Sequence, residues 1–258
     1  LCVGPSNAFI SRGFMTWDWL QQFFETGVLQ ELDALLVHPY RCDAPETALK
    51  DFDVLRKLLA EYTPVGRSIP IYSGEWGYAD GTGATPLVSV EMQAKLVSRL
   101  SLVSMMATDG VSIYYVRKPR MLRLHEVCGS CCVAELCLNR PVCSFTSFQE
   151  WQDNALPEFM GLMFENGTVK PSFLAIKTLS NVLANTSFIM RRPTWQDGFT
   201  TDDEFVLQFR SDNRTVLVVW TLAGFPHVTR LPGESRRRWQ HPSLETSVAF
   251  SLQFDALS

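Results

Sequence analysis

Two patterns of apolar and polar positions alternate over the first 184 residues of the chain. Short, continuous apolar runs bounded by glycine, proline or polar residues indicate buried strands. These runs cover 1–3, 34–37, 69–73 and 110–115. Between them lie segments whose apolar residues recur at the spacing of a helix with one buried face. These segments cover 14–26, 45–62, 88–107 and 170–184. Buried strands separated by amphipathic helices predict a parallel sheet covered by helices.

Chemically distinctive side chains follow two of the predicted strands. His38 and Tyr40 come after the second strand, and Glu75 and Trp76 come after the third. In a (β/α)8 barrel the reacting groups lie at these C-terminal strand ends. A doubly wound open sheet fits the same alternation, but it would normally carry a glycine-rich phosphate turn after its first strand, and this sequence has none. We therefore predict an α/β fold of the (β/α)8 TIM barrel type.

The pattern changes after Ala184. Strand-like segments follow one another, with a polar turn at 211–214 between the first two. They cover 204–209, 215–220 and 248–254. We predict that residues 185–258 form a partial β-rich domain, part of a small β-sandwich, beside the barrel portion in residues 1–184. Nothing in this tail is specific for an interaction module.

Composition and charge narrow the functional classes. The chain has 23 basic and 27 acidic side chains and a net charge of −4, which argues against a nucleic-acid partner because such a protein needs a basic surface. No apolar run reaches the roughly eighteen residues of a membrane span. The 46% hydrophobic content is enough for a sizeable core. Charged residues within the predicted helices, such as Asp51 and Asp53, are expected to be solvated.

The most informative segment is 73–78, which places Glu75 after an apolar strand and between two glycines. Glycines let a substrate approach the backbone, and a neighbouring ring such as that of Trp76 can stack on a sugar. His38 and Tyr40, on the preceding strand, would point into the same pocket and keep the carboxylate ionised and oriented. A retaining glycosidase uses such a carboxylate as nucleophile, with a second carboxylate about 5 Å away. The alternatives are an ordinary surface glutamate and a hydrogen-bonded structural histidine.

The order of four short motifs resembles a known group of enzymes. Residues 3–8 resemble the fifth strand of clan A glycoside hydrolase barrels, 36–40 the sixth, and 71–77 the seventh. Residues 161–173 resemble the turn into the eighth helix. Residues 1–184 are therefore similar to the C-terminal half of such a barrel, strands five to eight, as in glycoside hydrolase families 39 and 5.

The resemblance implies an activity and a set of site residues. Glu75 would be the nucleophile of a retaining hydrolase of β-linked glycans, oriented by His38 and Tyr40. Trp76 and Trp151 would bind the oligosaccharide or polysaccharide substrate, and no metal or organic cofactor would be needed. In the clan the acid/base is a glutamate at the end of the fourth strand, so we expect it outside this chain, and we expect the chain alone to be poorly soluble and inactive. The rival interpretation is a non-catalytic carbohydrate-binding barrel.

A cysteine-rich stretch, 116–149, interrupts the family pattern. It contains Cys128, Cys131, Cys132, Cys137 and Cys143. A zinc or disulfide knuckle would use the C-x2-C of Cys128 and Cys131, but a second such pair is absent. A genuine insertion is a second interpretation.

A translated intron is the third interpretation, and the one we favour. If 116–149 is removed, Tyr115 joins Glu150 and Trp151, and the joined string resembles the eighth strand of the family. The residues at the two ends can be encoded by codons that match intron borders. Sequencing the spliced transcript tests this hypothesis, because a main message that retains all of these codons would contradict it.

Three Asn-x-Ser/Thr sequons begin at Asn166, Asn185 and Asn213. Sequons occur by chance, but in a secreted eukaryotic chain they carry glycans on surface loops. We therefore expect a secreted or extracellular protein whose signal peptide lies outside this sequence.

Overall fold

The structure is a computed structural model, and it describes ten stretches of the chain. They are residues 2–8, 16–41, 43–80, 88–114, 145–148, 160–192, 203–222, 228–229, 238–239 and 251–253. Every structural statement below concerns these residues.

The first part of the chain alternates strands and helices around a parallel sheet. In chain order the elements are β1 (Val3–Ala8), α1 (Trp17–Glu25), β2 (Ala34–His38), α2 (Ala48–Tyr62), β3 (Ile71–Trp76), α3 (Val90–Ala107), β4 (Val111–Tyr114), β5 (Phe145–Phe148) and α4 (Pro171–Leu183). The five strands form one sheet in the order β1-β2-β3-β4-β5, and all of its pairings are parallel. The predicted α/β fold with a helix-covered parallel sheet is confirmed.

The register of β2 and β3 brings their C-terminal ends to one edge of the sheet. Val37 pairs with Ser73, so His38 at the end of β2 lies beside the last residues of β3. The sequence analysis ends the third strand at Ser73, whereas β3 continues to Trp76. Glu75 is therefore the penultimate residue of a strand rather than a loop residue, and its backbone is held by the sheet.

The core lies between the sheet and the helices. Leu35 of β2 and Ile71 of β3 have no exposed surface, and Leu55 of α2 and Leu100 of α3 pack in the same cluster. Helix α3 begins where the Ser89 hydroxyl accepts a hydrogen bond from the Met92 backbone N–H, a common N-terminal cap. The helical spacing of apolar residues read from the sequence thus corresponds to the faces that cover the sheet.

A second sheet follows the first and is antiparallel. Its strands are β6 (Ser187–Arg191), β7 (Glu204–Arg210), β8 (Thr215–Thr221) and β11 (Ser251–Gln253), in the order β11-β8-β7-β6. Strands β9 (Val228–Thr229) and β10 (Arg238–Trp239) form a separate pair. Stacked Phe205 and Trp220 rings, 4.9 Å apart, share a core with Leu102 of α3 and Leu183 of α4. The sheet therefore packs against the helices of the first part.

Two further details differ from the sequence analysis. Strand β1 runs through Gly4 and Pro5, where the sequence predicts its end. Strand β5 falls inside the predicted insertion and pairs with β4. The rest of that insertion lies outside the described residues, so the intron hypothesis stays a prediction. The predicted domain boundary at residue 184 likewise stays a prediction.

Candidate active site

A carboxylate, a phenol and an imidazole meet at the C-terminal edge of the parallel sheet. The Tyr40 hydroxyl donates a hydrogen bond of 3.2 Å to Oε2 of Glu75. Nδ1 of His38 lies 3.5 Å from the same oxygen. The Glu75 side chain is 31% exposed, and that of His38 is 13% exposed. Because both neighbours approach Oε2, the carboxylate is held from one side while part of it faces solvent.

The turn after β2 places Tyr40 on Glu75. The backbone N–H of Tyr40 donates to the carbonyl of His38 at 2.9 Å, which folds the chain tightly around Pro39. The rings of His38 and Tyr40 meet edge to face, with centroids 6.5 Å apart and an interplanar angle of 89°. Both side chains therefore reach the same carboxylate although only one residue separates them.

Gly74 allows the imidazole to lie close to the backbone of β3. A Cβ at this position would be 2.8 Å from Nε2 of His38 and 2.8 Å from Cγ of Leu36. Real Cβ atoms do not approach other atoms so closely, so any larger residue would displace one of these side chains. The glycine before Glu75 therefore serves the packing of the site.

The site combines one carboxylate with a hydrogen-bonded phenol and a largely buried imidazole. Burial lowers the pKa of His38 below its ordinary value of 6.5, and the nearby charge of Glu75 offsets part of this effect. Burial therefore favours the uncharged imidazole, which contacts Glu75 as a dipole rather than as a cation. A half-exposed carboxylate with these neighbours can attack an electrophilic carbon or accept a proton.

The two predicted sugar-binding tryptophans are placed differently. Trp76 is completely buried in the core, and its indole nitrogen has no hydrogen-bond partner among the described residues. It is not exposed as a sugar platform would be. Glu75 and Trp76 are successive residues of β3, so their side chains point to opposite faces, and the Glu75 side chain is the exposed one. Trp151 lies outside the described residues, so its role stays a prediction.

The chain after β3 is fixed by buried polar contacts that the sequence analysis does not anticipate. The Tyr78 hydroxyl donates to the carbonyl of Asp43 at 2.7 Å, and burial raises the pKa of Tyr78 well above its ordinary value of 10.0. Nζ of Lys170 lies 3.0 Å from Oδ1 of Asp80, and the two side chains are 0% and 3% exposed. Lys170 and Asp80 are 90 residues apart, so no local pattern could link them.

Metal-binding groups and membrane spans can be assessed within the same residues. No cluster of three or more histidine, cysteine, aspartate or glutamate side chains in the described stretches could hold a metal ion. None of the described helices is both long enough and apolar enough to cross a bilayer.

No family model and no curated protein matches the sequence. Among solved structures, the chain is similar to a family 39 glycoside hydrolase from Bacteroides cellulosilyticus WH2. The identity is 16% and the TM-score is 0.52, over 84% of this chain and 40% of that one. The solved structures to which this chain is similar are glycoside hydrolases, so the predicted resemblance to that group of enzymes is confirmed. At such low sequence identity the similarity concerns the fold alone.

Two other solved structures match less well. A GH30 endoxylanase from Clostridium papyrosolvens C71 has 11% identity and a TM-score of 0.41, over 85% of this chain and 40% of that one. A β-glucuronidase from Faecalibacterium prausnitzii has 11% identity and a TM-score of 0.34, over 60% of this chain and 23% of that one. The chain thus spans less than half the length of each of these three structures.

Proposed function

We propose that the chain is part of a glycoside hydrolase that cleaves β-linked glycans by a retaining mechanism, with Glu75 as the nucleophile. The observation that carries the proposal is the position of the Glu75 carboxylate. It lies at the C-terminal end of a parallel strand, 31% exposed, with Tyr40 and His38 both on Oε2. Chemistry in barrel enzymes is located at this end of the strands.

The proposed reaction has two steps. In the first, a Glu75 carboxylate oxygen attacks the anomeric carbon, the glycosidic C–O bond breaks, and an acid protonates the leaving oxygen. In the second, the same acid, now a base, takes a proton from water, and the water oxygen displaces Glu75. By resemblance, the acid/base is a glutamate on the strand that precedes β1 in a complete barrel. Tyr40 holds Glu75 in place without competing with it for the sugar carbon.

We assign β1, β2, β3 and β4 to the fifth to eighth strands of a (β/α)8 barrel. In a closed barrel the eighth strand pairs in parallel with the first. Here β5 pairs in parallel with β4, on the edge where the first strand would lie. The antiparallel sheet of β6, β7, β8 and β11 is assigned to part of a β-sandwich that accompanies the barrel. The similarity of fold to the family 39 enzyme supports the barrel assignment.

Substrate and location follow from the same proposal. The substrate is an oligosaccharide or polysaccharide, and Trp151 remains a candidate to bind it. We further propose that the protein is secreted, since the asparagines of all three sequons, Asn166, Asn185 and Asn213, are exposed and so accessible to glycans.

Replacing Glu75 by Gln in the complete protein that carries these residues tests the proposal. The amide keeps the size of the side chain and removes its nucleophilic charge. Turnover of aryl β-glycosides should fall by about three or more orders of magnitude, with an unchanged circular dichroism spectrum. Glu61→Gln, on the exposed surface of α2, is the matched control and should leave the rate unchanged. Hydrolysis at the wild-type rate by Glu75→Gln would end the nucleophile assignment.

Stereochemistry gives a second, independent check. Proton NMR of the first product formed by the wild-type protein should show the β anomer, because two displacements restore the starting configuration. If the first product is the α anomer, the mechanism is a single displacement, and Glu75 is then not a covalent nucleophile.

A further inference from the structure

Arg41 is a buried charged residue in the segment that joins β2 to α2. Its side chain is 4% exposed. Nε donates to the carbonyl of Pro39 at 3.0 Å, Nη1 to the hydroxyl of Thr47 at 2.9 Å, and Nη2 to Oδ2 of Asp51 at 3.1 Å. A buried guanidinium is unfavourable unless such acceptors compensate for the lost water. The position therefore requires a residue with several donors in a fixed planar arrangement.

One of these contacts fixes the chain beside Tyr40, the residue that donates to the candidate nucleophile. Arg41 follows Tyr40 in sequence and bonds to the carbonyl of the residue before it, so both flanks of Tyr40 are fixed. Its guanidinium carbon also lies 5.7 Å from the ring centroid of Trp76, the neighbour of Glu75 on β3. The same side chain thus bonds to the backbone beside Tyr40 and lies over the ring of the residue that follows Glu75.

We propose that Arg41 is a positioning residue that keeps the Tyr40 hydroxyl on Oε2 of Glu75. Its catalytic consequence rests on the proposed function, but the positioning itself does not. A lysine would keep the charge, and a single ammonium group cannot reach the Pro39 carbonyl, Thr47 and Asp51 from one planar fork. Tyr40 would then be free to leave the carboxylate.

The titration of His38 reports this contact because His38 and Tyr40 approach the same oxygen. When the phenol leaves, the imidazole alone interacts with the charge on Oε2, so the pKa of His38 should rise. NMR of the imidazole protons measures this pKa without substrate. The chain has four histidines, and His38→Gln identifies the signal of His38 by its absence.

A double-mutant cycle between Arg41 and Tyr40 is the decisive experiment. Tyr40→Phe and Arg41→Lys should each raise the pKa of His38 by about half a pH unit, and the double variant should raise it no further. If Arg41 merely stabilised the fold, it would lower the melting temperature and leave the His38 titration at its wild-type value. Unchanged titration in either single variant, or additive shifts in the double variant, would overturn the proposal.

Two additional variants secure the experiment. Should Arg41→Lys not fold, Asp51→Asn weakens the same arginine from its far side and is judged by the same criteria. Arg56→Lys is the matched control, because Arg56, on α2, like Arg41 donates to a backbone carbonyl, that of Ala107, at 2.7 Å. Arg56 also pairs with Asp109, which accepts a hydrogen bond from the backbone N–H of Ile71. Ile71 is the first residue of β3, at the opposite end of the strand from Glu75. The pKa of His38 should therefore not change in Arg56→Lys.

The two proposals fail in different ways. An additive cycle together with an inactive Glu75→Gln would remove Arg41 from the site and leave the nucleophile in place. A non-additive cycle together with a fully active Glu75→Gln would leave the positioning intact and reject the proposed function.

Discussion

The buried carboxylate of Glu46 links helix α3 to the antiparallel sheet, and removal of its partner Arg99 gives a sharp stability prediction. Oε1 and Oε2 of Glu46 accept hydrogen bonds of 2.6 Å from Nε and Nη2 of Arg99 on α3. Oε1 also accepts a 2.6 Å bond from the indole nitrogen of Trp220 on β8. The three residues are 4%, 1% and 3% exposed. We choose Arg99→Met as the perturbation, because methionine fills much of the space and carries no charge.

The expected loss follows from the charge that remains. Without Arg99, Glu46 keeps the indole bond but loses its countercharge in a site closed to water. Breaking a buried ion pair in this way destabilises a protein by about 3–5 kcal/mol. With a urea m-value of about 3 kcal/mol per molar, the midpoint of unfolding should fall by about 1 M or more. Arg56→Met, which breaks an exposed pair, should change the free energy of unfolding by about 1 kcal/mol or less.

The second half of the test removes both charges. Glu46→Leu combined with Arg99→Met replaces the pair by apolar side chains, which is often close to neutral, although the Trp220 N–H then loses its acceptor at about 1–3 kcal/mol. The double variant should therefore be more stable than Arg99→Met alone. Urea unfolding at pH 7, followed by circular dichroism so that tryptophan environments do not matter, measures all variants. A double variant less stable than the single one would refute the reasoning.

Two further predictions concern the candidate site. Gly74→Ala introduces a Cβ 2.8 Å from His38 and Leu36, so it should lower the free energy of unfolding in urea by about 1–3 kcal/mol and separate His38 from Glu75. Because the charge of Glu75 raises the pKa of His38, Glu75→Gln should lower that pKa only while the two side chains are in contact. If Glu75→Gln still lowers it in the Gly74→Ala background, the prediction is wrong. Burial lowers the pKa of His38 below 6.5, so the unfolded chain binds the proton more readily, and the stability due to neutral His38 is lost as the pH falls below about 6.5. Wild type should therefore lose more stability than His38→Gln between about pH 7.5 and about pH 5, and equal losses would contradict the shift.

The parallel sheet and the meeting of three site residues could be predicted from local sequence. Continuous apolar runs identify β2 and β3, and parallel strands bring their C-terminal ends together whatever the rest of the fold. That rule alone places His38, Tyr40 and Glu75 near one another, and the distances of 3.2 and 3.5 Å to Oε2 agree with it. Their proposed roles stay predictions.

Burial of individual side chains could not be predicted in the same way. Trp76 was a candidate sugar platform because it follows Glu75, yet it is 0% exposed. Pairing in β3 shifts register between Ser73 and Trp76, and such an irregularity changes which side chains face the core. Asp51 was expected to be solvated on α2, but it pairs with buried Arg41 and is 17% exposed.

Contacts between residues far apart in the sequence also lie beyond local reasoning, as the segment after β2 shows. Residues 39–41 and 43–44, which precede the 3-10 turn Pro45–Thr47, have no regular secondary structure, and the backbone hydrogen bonds described there are short-range, such as Tyr40 N–H to the carbonyl of His38. Side chains on this stretch make further hydrogen bonds, Arg41 to Pro39, Thr47 and Asp51, and Glu46 to residues far along the chain. The partners of Glu46 are 53 and 174 residues away, on α3 and β8. The loop that presents Tyr40 to the carboxylate is therefore shaped partly by the antiparallel sheet. A polar residue in such a loop has the same local sequence pattern whether it faces water or a partner far along the chain.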